Sequence, residues 1–586
     1  MAVDLAIDEL RVTLGSVEVR LDLPRDAPVR LVGLAVAGRQ RTQNDRPHVT
    51  PLVELSLAGE SHVRHSHDVR HRNYAASDRL RLVSYDVGSD SLTVTQIDST
   101  TGILVETRLR TGTPSTVTVE NRLTHSGAED VVVEYLSSLV LGGFAEIIDA
   151  DVFERLRSHT GLMAWTAEYR WQERSLAEVG LVDAGIPHAT SSTRTSFSYG
   201  GVGSWSSSTH LPMGALEDPE SNTIWMWQIE HNGPWWSELD DVGRDAALSL
   251  SGPTYRQHHW QTRLRTGTLP VIANDYMNCL MGDPSTEKLL PLVDSAAFVG
   301  ADYFVIDAGW YADDAGWWST VGEWRESTIR FPNGLAEVTD RIRDRGMTPG
   351  LWLEPEVMGV NSPAVVQLPA EAFFRREGRA VAEQGRYHLD FRHPAVRARL
   401  DETVDRLVAD YGIGYFKFDY NINIGEGTEV DAESLGEGLL GHDRAYVGWL
   451  TSVRRRHPEL ILENCSSGAM RADAALLSVA QLQSTSDQES PIVNAVIACG
   501  APSNIAPEQA AVWSYPQPEW SDDLIDFTMV QSILARVHLG GRHDLLSAPQ
   551  LQRVKNAVDV HKSLGGFIQV AVPFWPLGTP GWSDEW

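Results

Sequence analysis

The chain has 586 residues and a formal net charge of -30, from 49 basic and 79 acidic side chains. A chain of this length exceeds one ordinary core, so we expect two or three domains, one of which is large enough to be a barrel. The negative charge argues against nucleic acid or an anionic membrane as partner, because both would repel the protein, and a neutral substrate fits better.

The N-terminal segment "MAVDLAIDEL" has acidic residues where a secretory signal carries basic ones, and it lacks an apolar core. No later apolar run is long enough to span a bilayer, so a cytoplasmic protein is expected. Cys279, Cys465 and Cys499 are widely spaced and belong to no CxxC pair. They indicate neither a disulfide framework nor a zinc site.

Residues 1–265 carry short alternating segments such as "SLTVTQIDS" and "STVTVENRLTH", separated by turns. Alternation with a period of two, rich in Thr and Val, is typical of antiparallel sheets packed face to face. The sequence therefore predicts an N-terminal β-sandwich domain over these residues.

Residues 266–565 change character, because apolar runs of five to eight residues alternate with amphipathic helical stretches such as "PAVRARLDETVDRLVADYG". Strand and helix in repeated alternation predict a parallel sheet with helical crossovers. Six strands can be placed, and the last two beyond residue 500 cannot. The six are "PVIAND", "YFVIDAG", "PGLWLEPE", "YFKFDY", "LILENCSS" and "LQSTSD".

Each of these six strands ends in polar residues, among them Asp307, Glu354, Asp419, Glu463 and Asp487. A (β/α)8 barrel builds its active site from the loops at the carboxyl ends of all its strands. An open doubly wound sheet would instead concentrate its site at one switch point. The pattern therefore favours a (β/α)8 TIM barrel as the catalytic domain.

The acidic residues allow three interpretations. Asp307, Glu354, Glu356 and Asp419 could hold magnesium, with Lys417 as the base of an enolase-like proton abstraction. The same side chains could instead bind a sugar without catalysis.

In the third interpretation, Asp419 and Asp487 are the nucleophile and the acid/base of a retaining glycosidase, which needs two carboxyls about 5 Å apart. Lys417 would keep Asp419 ionised, while burial beside other acids would keep Asp487 protonated.

Several motifs favour the third interpretation through a family resemblance. "YFKFDYN" resembles the KWDxN nucleophile strand of glycoside hydrolase family 36, the α-galactosidase family. "ENCSSGAMRAD" resembles its cysteine and glycine turn, and "LQSTSDQES" resembles its acid/base segment. Further matches, including "FVIDAGWY", "GLWLEPEVM" and "NDYMNCLMGDP", occur in family order from about residue 270 to "PFWPLG". The β-rich first half is similar to the large N-terminal sandwich of the family.

The resemblance implies a catalytic pair and a set of sugar contacts. Asp419 would attack the anomeric carbon, and Asp487 would protonate the leaving oxygen and then activate water. The implied substrate-binding residues are Asp307, Lys417, Trp310, Trp352, Cys465, Gly468, Asn421 and Glu354. The resemblance implies neither a cofactor nor a metal site.

Two features depart from the family pattern. The second barrel strand commonly ends in two aspartates that hold sugar hydroxyls, whereas here Asp307 is followed by Ala308. D-Galactose remains the leading sugar, with D-fucose, β-L-arabinopyranose, N-acetylgalactosamine or glucose as alternatives. The family's C-terminal β domain is short or absent, and residues 566–586 are interpreted as the start of a truncated β segment.

The resemblance also suggests a role for the N-terminal domain, which in such enzymes lends loops to the pocket rim, often of a neighbouring subunit. "SHVRHSHDVRHRNY" at 61–74 and "HNGPWW" at 231–236 are candidates for substrate contact or subunit packing. We therefore expect a homo-oligomer, a dimer or tetramer, that acts on an oligosaccharide or glycoside. A transglycosylase would share the same catalytic pair.

Overall fold

The computed structural model describes residues 8–36, 50–61, 74–112, 115–144, 151–182, 195–241, 246–251, 269–314, 316–582 and 584. None of the helices within these ranges has the length and apolar character that a bilayer crossing requires. The predicted domain boundary after residue 265 lies outside the described residues.

The N-terminal half is built from strands, with two short helices, α1 (Ala75–Arg79) and α2 (Val152–Arg155). The strands are β1 (Glu9–Leu14), β2 (Val17–Asp22), β3 (Arg30–Val36), β4 (Thr50–Pro51), β5 (Leu55–Leu57), β6 (Arg81–Val87), β7 (Ser91–Asp98), β8 (Ile103–Thr111), β9 (Val117–His125), β10 (Val133–Leu136), β11 (Leu139–Gly142), β12 (Arg157–Leu162), β13 (Arg170–Ser175), β14 (Ser196–Gly201), β15 (His210–Asp218), β16 (Thr223–Gln228), β17 (Trp235–Asp241) and β18 (Ala246–Ser251).

These strands form antiparallel sheets in the orders β1-β2-β3-β4, β6-β7-β8-β9, β13-β12-β15-β16 and β11-β18-β17-β14, with a small β10-β5 pair. Burial alternates along β7 and β8, as the period of two predicts. The inward faces of several sheets contribute to one apolar core, which includes Val19, Leu92, Leu216 and Leu239. The prediction of an antiparallel β-rich first half is confirmed.

The second half is a closed barrel of eight parallel strands in the order β19-β20-β21-β27-β28-β29-β30-β31. Five short strands, β22 to β26, lie between β21 and β27 and form a small side sheet and a two-stranded hairpin. The bounds are β19 (Ile272–Asn274), β20 (Tyr303–Ile306), β21 (Thr348–Leu353), β22 (Val357–Gly359), β23 (Arg375–Arg376), β24 (Arg379–Ala380), β25 (Ala382–Glu383), β26 (Arg386–His388), β27 (Tyr415–Phe418), β28 (Ile461–Asn464), β29 (Leu482–Ser484), β30 (Ala510–Ser514) and β31 (Arg536–Leu539).

All six predicted strands lie in the barrel, and the TIM barrel fold is confirmed. The two strands that the sequence left unplaced are β30 and β31. The intervening helices are α3 (Thr286–Val299), α4 (Trp317–Thr320), α5 (Ala336–Asp344), α6 (Pro394–Tyr411), α7 (Leu435–Arg456), α8 (Ala474–Leu477), α9 (Pro491–Gly500), α10 (Asp522–Ile533) and α11 (Ala548–Ile568).

Local sequence explains where the longer helices begin and end. Helix α6 starts with Pro394 after His393, whose Nδ1 accepts a hydrogen bond from the Ala395 amide, and it stops at Gly412 in the left-handed region. Helix α11 starts with a capping box between Ser547 and Gln550. The apolar faces of these helices pack on the outer side of the barrel strands in a single core.

The end of the chain differs from the sequence prediction of a β segment over 566–586. Helix α11 continues to Ile568, and no strand follows among the described residues up to 584. The segment after the helix, "PFWPLGTPGW", contains three prolines, which lack the N–H that a strand ladder needs.

Candidate active site

The barrel interior is layered by the two-residue period of its strands. One buried layer is apolar and includes Ile272, Val305, Tyr415, Ile461 and Ala511. Side chains two positions further along each strand share the same face and lie nearer the carboxyl end. This next layer consists of Asn274, Asp307, Lys417, Glu463 and Trp513. The strand period therefore places a mainly polar layer of side chains nearer the carboxyl ends of the strands than the apolar layer.

Lys417 and Asp307 form an ion pair in this polar layer. The Lys417 ammonium donates to Asp307 Oδ2 at 3.0 Å, and the side-chain amide of Asn274 donates to the same oxygen at 2.7 Å. Burial opposes the charged form of Lys417, but the surrounding carboxylates, above all Asp307, raise its pKa well above the ordinary value. The rings of Tyr276 and Trp513 flank the ammonium with centroids 5.7 and 5.4 Å away.

Asp419 follows strand β27 directly and is held by donors on both oxygens. Oδ2 accepts from the Trp352 indole at 3.0 Å, while Oδ1 accepts from the amides of Tyr420 at 2.8 Å and Ser467 at 3.3 Å. Burial opposes ionisation, but the Lys417 charge and these hydrogen bonds outweigh it and lower the pKa of Asp419. The side chain is therefore an ionised carboxylate in a fixed orientation.

Asp487 follows strand β29 and is also buried, but its environment acts in the opposite direction. Burial, assisted by the negative charge of Asp419, raises the pKa of Asp487 to about 6. Its Oδ2 accepts a hydrogen bond of 3.1 Å from the indole of Trp165, which belongs to the N-terminal domain. Asp487 can therefore hold a proton under conditions in which Asp419 has lost its own.

The turn after β28 lies against both acidic residues, at the carboxyl group of Asp419 and at the backbone of Asp487. The Ser467 amide and hydroxyl donate to Asn421 Oδ1 at 3.1 and 2.8 Å, and the same amide reaches Asp419. The next residue, Gly468, has φ +76, and a Cβ built on it would lie 2.8 Å from the backbone nitrogen of Asp487. Two consecutive residues thus approach the two acidic residues, Ser467 at the Asp419 carboxyl group and Gly468 at the Asp487 backbone, so both residues lie beside one short turn.

Cys465 begins this turn and is buried, with its amide donating to the Phe418 carbonyl at 2.9 Å. Burial and the Asp419 charge raise the pKa of the Cys465 thiol well above its ordinary value. A neutral, compact thiol beside the nucleophile is compatible with the predicted contact to the sugar.

The predicted tryptophans occupy different positions. Trp352 contacts the nucleophile, whereas Trp310 is fully buried and donates to the Trp352 carbonyl at 3.0 Å. Trp317 packs edge-on against Trp352 with centroids 5.8 Å apart, and Trp318 lies under the Arg386 guanidinium. Trp310 therefore supports Trp352 from the core, and Trp352 is the member of this group that reaches Asp419.

The four carboxylates considered as magnesium ligands are not brought together as a metal-ligand group among the described residues, and Asp419 has the hydrogen bonds given above. Each has its own cation or a separate role: Asp307 pairs with Lys417, Glu354 pairs with Arg386 at 2.8 Å, and Glu356 pairs with Arg471 at 2.6 Å. Glu354 also accepts from the Asn421 amide at 2.7 Å, so it fixes the chain beyond the nucleophile. Burial raises the pKa of Glu354 to about 7.

Among the described residues, Glu356, His388 and His442 are brought together as a group of metal-ligand type. The His442 Nε2 lies 2.9 Å from Glu356 Oε2, while Arg471 takes the other oxygen. The Arg471 charge disfavours a divalent cation at this place. None of these three residues is among the sugar-site residues predicted above.

The N-terminal domain supplies site residues that the sequence did not predict, above all Trp165 and Glu168. Trp165 lies in "LMAWTAEYRW", where no periodicity indicates a site. The two tryptophans of this short segment are the one sequence feature that could have drawn attention to it. The sequence also did not predict that Asn274 contacts Asp307 or that Trp513 contacts Lys417. Asn274 was visible as a polar strand end, and Trp513 lies on a strand that could not be placed.

The predicted rim segments have different outcomes. Residues 62–73 of the histidine-rich stretch lie outside the described residues. In "HNGPWW", His231 is buried 3.8 Å from Asp443 Oδ2, and the Asn232 amide donates to the Asp443 carbonyl at 3.2 Å. These two residues contact helix α7 of the same chain, so this part of the segment packs one domain against the other.

Parts of the chain are similar in sequence to known proteins. Residues 244–519 match the Melibiase family model. α-Galactosidase 2 of Pediococcus pentosaceus is 30% identical over 277 residues, which are 47% of this chain and 38% of that protein. α-Galactosidase Mel36A of Lactobacillus acidophilus is 28% identical over 206 residues, which are 35% of this chain and 28% of that protein. The matched segments thus span less than two fifths of these curated relatives.

Solved structures match over a larger part of the chain. The glycoside hydrolase family 36 α-galactosidase AgaA of Geobacillus stearothermophilus superposes with a TM-score of 0.77 at 16% identity, covering 96% of this chain and 87% of that one. The α-galactosidase of Lactobacillus brevis gives a TM-score of 0.75 at 15% identity, with coverage of 97% and 85%. Both domains therefore share the fold of these enzymes.

Proposed function

We propose that this chain, a glycoside hydrolase family 36 α-galactosidase-like protein, is a retaining exo-glycosidase that removes terminal α-D-galactosyl residues. The observation that carries the proposal is the pair Asp419 and Asp487, two buried acids beside one turn whose pKa values are shifted in opposite directions. Two carboxyls with opposite shifts are what an acid and a nucleophile working at the same pH require.

In the first step, the Asp419 carboxylate attacks the anomeric carbon while the bond from that carbon to the leaving oxygen breaks. Asp487 gives its proton to this oxygen, so the aglycone leaves as a neutral alcohol and a covalent glycosyl-enzyme remains. In the second step, the Asp487 carboxylate takes a proton from water as the water oxygen attacks the same carbon. The free Asp419 carboxylate is released, and two inversions give net retention.

Galactose is the sugar that the relatives favour, and one structural neighbour, a variant of AgaA, was crystallised in complex with raffinose. In this chain Asp307 supplies a carboxylate acceptor group and Lys417 an ammonium donor group, and Ala308 supplies no hydrogen-bonding group through its side chain. A site with fewer hydroxyl partners discriminates less strongly at that position. Sugar specificity is therefore best tested by comparing the α-D-galactoside with four other substrates, the α-D-fucoside, β-L-arabinopyranoside, α-N-acetylgalactosaminide and α-D-glucoside.

The nucleophile is tested with Asp419→Ala, which should abolish turnover while leaving the melting temperature close to that of the wild type. Azide should restore part of the activity with an inverted glycosyl azide as product, because a small anion fits where the carboxylate was. Asp410→Ala, at an exposed position near the end of α6, is the matched control and should keep full activity. Wild-type turnover by Asp419→Ala would remove this residue from the mechanism.

A panel of p-nitrophenyl glycosides assigns the sugar, and product analysis with a sugar acceptor separates hydrolysis from transglycosylation. Binding of galactose without turnover of any substrate would favour a sugar-binding protein. The magnesium-dependent alternative predicts loss of activity on dialysis against a chelator, whereas the glycosidase proposal predicts none.

We also propose a cytoplasmic location and a dimeric or tetrameric state. The location is supported by the three free cysteines, two of them partly exposed, which suit a reducing compartment. Cell fractionation tests the location, and size-exclusion chromatography with light scattering tests the oligomer. Recovery in the secreted fraction, or a monomeric mass, would contradict these two proposals respectively.

A further inference from the structure

One buried carboxyl beside the active site has no part in the mechanism above. Glu168 belongs to the N-terminal domain, is 0% exposed, and lies next to the acid/base segment of the barrel. Its Oε2 accepts a 2.7 Å hydrogen bond from the hydroxyl of Ser486, the residue directly before Asp487. Its Oε1 accepts from the Thr166 amide at 3.1 Å. Glu168 thus connects a turn of one domain to the catalytic segment of the other.

Residues 164–169, named here the acid-side turn, contact the segment 486–488 at three successive positions. The Trp165 indole donates to Asp487 Oδ2, Glu168 accepts from Ser486, and the Gln488 side chain donates to the Thr166 carbonyl at 2.8 Å. Asp487 is the central residue of the segment and carries the proton in the proposed reaction. The acid-side turn therefore holds the residues on both sides of Asp487 and one oxygen of the Asp487 carboxyl group.

The acid-side turn is itself held in a strained conformation. Thr166 and Tyr169 have φ values of 61 and 57, a region that residues with a β-branched or bulky side chain rarely adopt. Such strain persists only where surrounding contacts enforce it, and it is concentrated at functional sites. Here the Tyr169 ring is buried in an apolar cluster with Ile497 and Ala498 of the barrel. The contact between the two domains therefore holds the turn in this conformation.

We propose that Glu168 is a positioning residue for the acid/base Asp487, acting through Ser486 and the acid-side turn to aim the carboxyl at the leaving oxygen. This inference rests on the proposed glycosidase function and extends it across the domain boundary. Burial, assisted by the Asp487 charge, raises the pKa of Glu168 to about 8, which keeps a second negative charge away from the acid at neutral pH.

The effect is measurable because leaving groups differ in their need for a proton. A methyl α-galactoside must have its leaving oxygen protonated, whereas a 2,4-dinitrophenyl α-galactoside leaves as a stable anion. General acid catalysis contributes roughly 100- to 10,000-fold, and a carboxyl misplaced by about 1 Å loses a large part of it. We expect Glu168→Ala to lower kcat/KM about 30- to 100-fold on the methyl substrate and less than about threefold on the dinitrophenyl substrate.

Three further variants make this test specific. Glu168→Gln keeps an acceptor for the Thr166 amide and a polar group facing Ser486, so it should restore most of the lost activity. Ser486→Ala removes the hydroxyl that donates to Glu168 and that also accepts from the Gln488 amide at 3.0 Å. The Glu168→Ala/Ser486→Ala double variant should therefore lose no more than Ser486→Ala alone, because the bond to Glu168 is already broken there. Glu173→Ala, at an exposed site on β13 of the same domain, should behave like the wild type.

Each outcome decides between distinct conclusions. Equal loss on both substrates in Glu168→Ala and Ser486→Ala, or full additivity in the double variant, would overturn the positioning role while leaving the glycosidase function intact. Unchanged kcat/KM in Glu168→Ala would do the same. If Glu168→Ala fails to fold, Glu168→Asp, which keeps the carboxyl but shortens its reach toward Ser486, is measured on both substrates instead, and equal loss on both would overturn the positioning role. A wild-type protein inactive on both substrates would overturn the proposed function and this inference with it.

Discussion

Gly468 offers the most direct test of how the two acids are held together. Its φ of +76 lies where an alanine costs about 1–2 kcal/mol. A Cβ at this position would also lie 2.8 Å from the Asp487 nitrogen and from the Ser486 Cα, roughly 0.6 Å inside ordinary van der Waals contact. The atoms it meets belong to backbone, so relief requires movement of the segment that carries the acid/base.

Overpacking of this kind typically costs about 1–3 kcal/mol, so Gly468→Ala should destabilise the protein by about 2–5 kcal/mol in total. The displaced Asp487 should lower kcat on a substrate with a poor leaving group by about 100-fold. The assays are thermal unfolding and steady-state kinetics on methyl and 2,4-dinitrophenyl α-galactosides. The loss should be larger for the methyl substrate.

Two other glycines separate the causes. Gly334 has φ +84 with nothing within 4 Å of its Cβ position, so Gly334→Ala should show only the cost of the backbone conformation. Gly436 lies in α7 with free space around it, and Gly436→Ala should be neutral or stabilising by up to about 1 kcal/mol. Wild-type kcat and stability in Gly468→Ala would refute the conclusion that this turn sets the spacing of the acids.

Three further predictions concern charge. The pKa of Asp487, about 6, predicts that kcat/KM falls as pH rises through about 6, because the acid form is lost, and a pH profile flat to pH 8 would contradict this. Lys417→Met leaves the buried Asp307 carboxylate without its cation, so we expect about 3–5 kcal/mol of destabilisation in chemical unfolding and a large loss of kcat/KM. Arg386→Met should raise the pKa of Glu354 further above its ordinary value, so the loss of melting temperature should be greater at pH 8 than at pH 5.5, and an equal loss at both would argue against an ionised Glu354.

Much of the barrel could be predicted because its signals are local. The six strands were visible as apolar runs between helical segments, and the polar residues at their ends follow from the position of barrel active sites. Strands β30 and β31 escaped prediction because "AAVWS" and "RVHL" follow stretches without clear helical periodicity. A closed barrel needs eight strands, so their existence could be inferred but their position could not.

The candidate site was predicted unevenly for the same reason. Lys417 and Asp419 are two positions apart at the end of one strand, which the sequence alone shows, and Asp307 follows the end of another strand. Which partner each group chooses depends on neighbouring strands. The sequence suggested that Lys417 serves the nucleophile, whereas its direct ion pair is with Asp307 and it acts on Asp419 through its charge.

The resemblance suggested that the first domain contributes to the pocket rim, but the residues that do so could not be predicted from sequence, because their contacts join positions more than 300 apart. Trp165 and Asp487 are 322 positions apart, and Glu168 and Ser486 are 318 apart. The apolar cluster beneath them joins Met163, Tyr169 and Leu211 of the first domain to barrel residues of 469–535. A barrel without the first domain would expose this cluster and leave the buried Ser486 hydroxyl and Asp487 Oδ2 without these hydrogen-bond partners. The acid half of the site is therefore a property of the domain contact, while the nucleophile half, with its donors from Trp352, Tyr420 and Ser467, lies within the barrel itself.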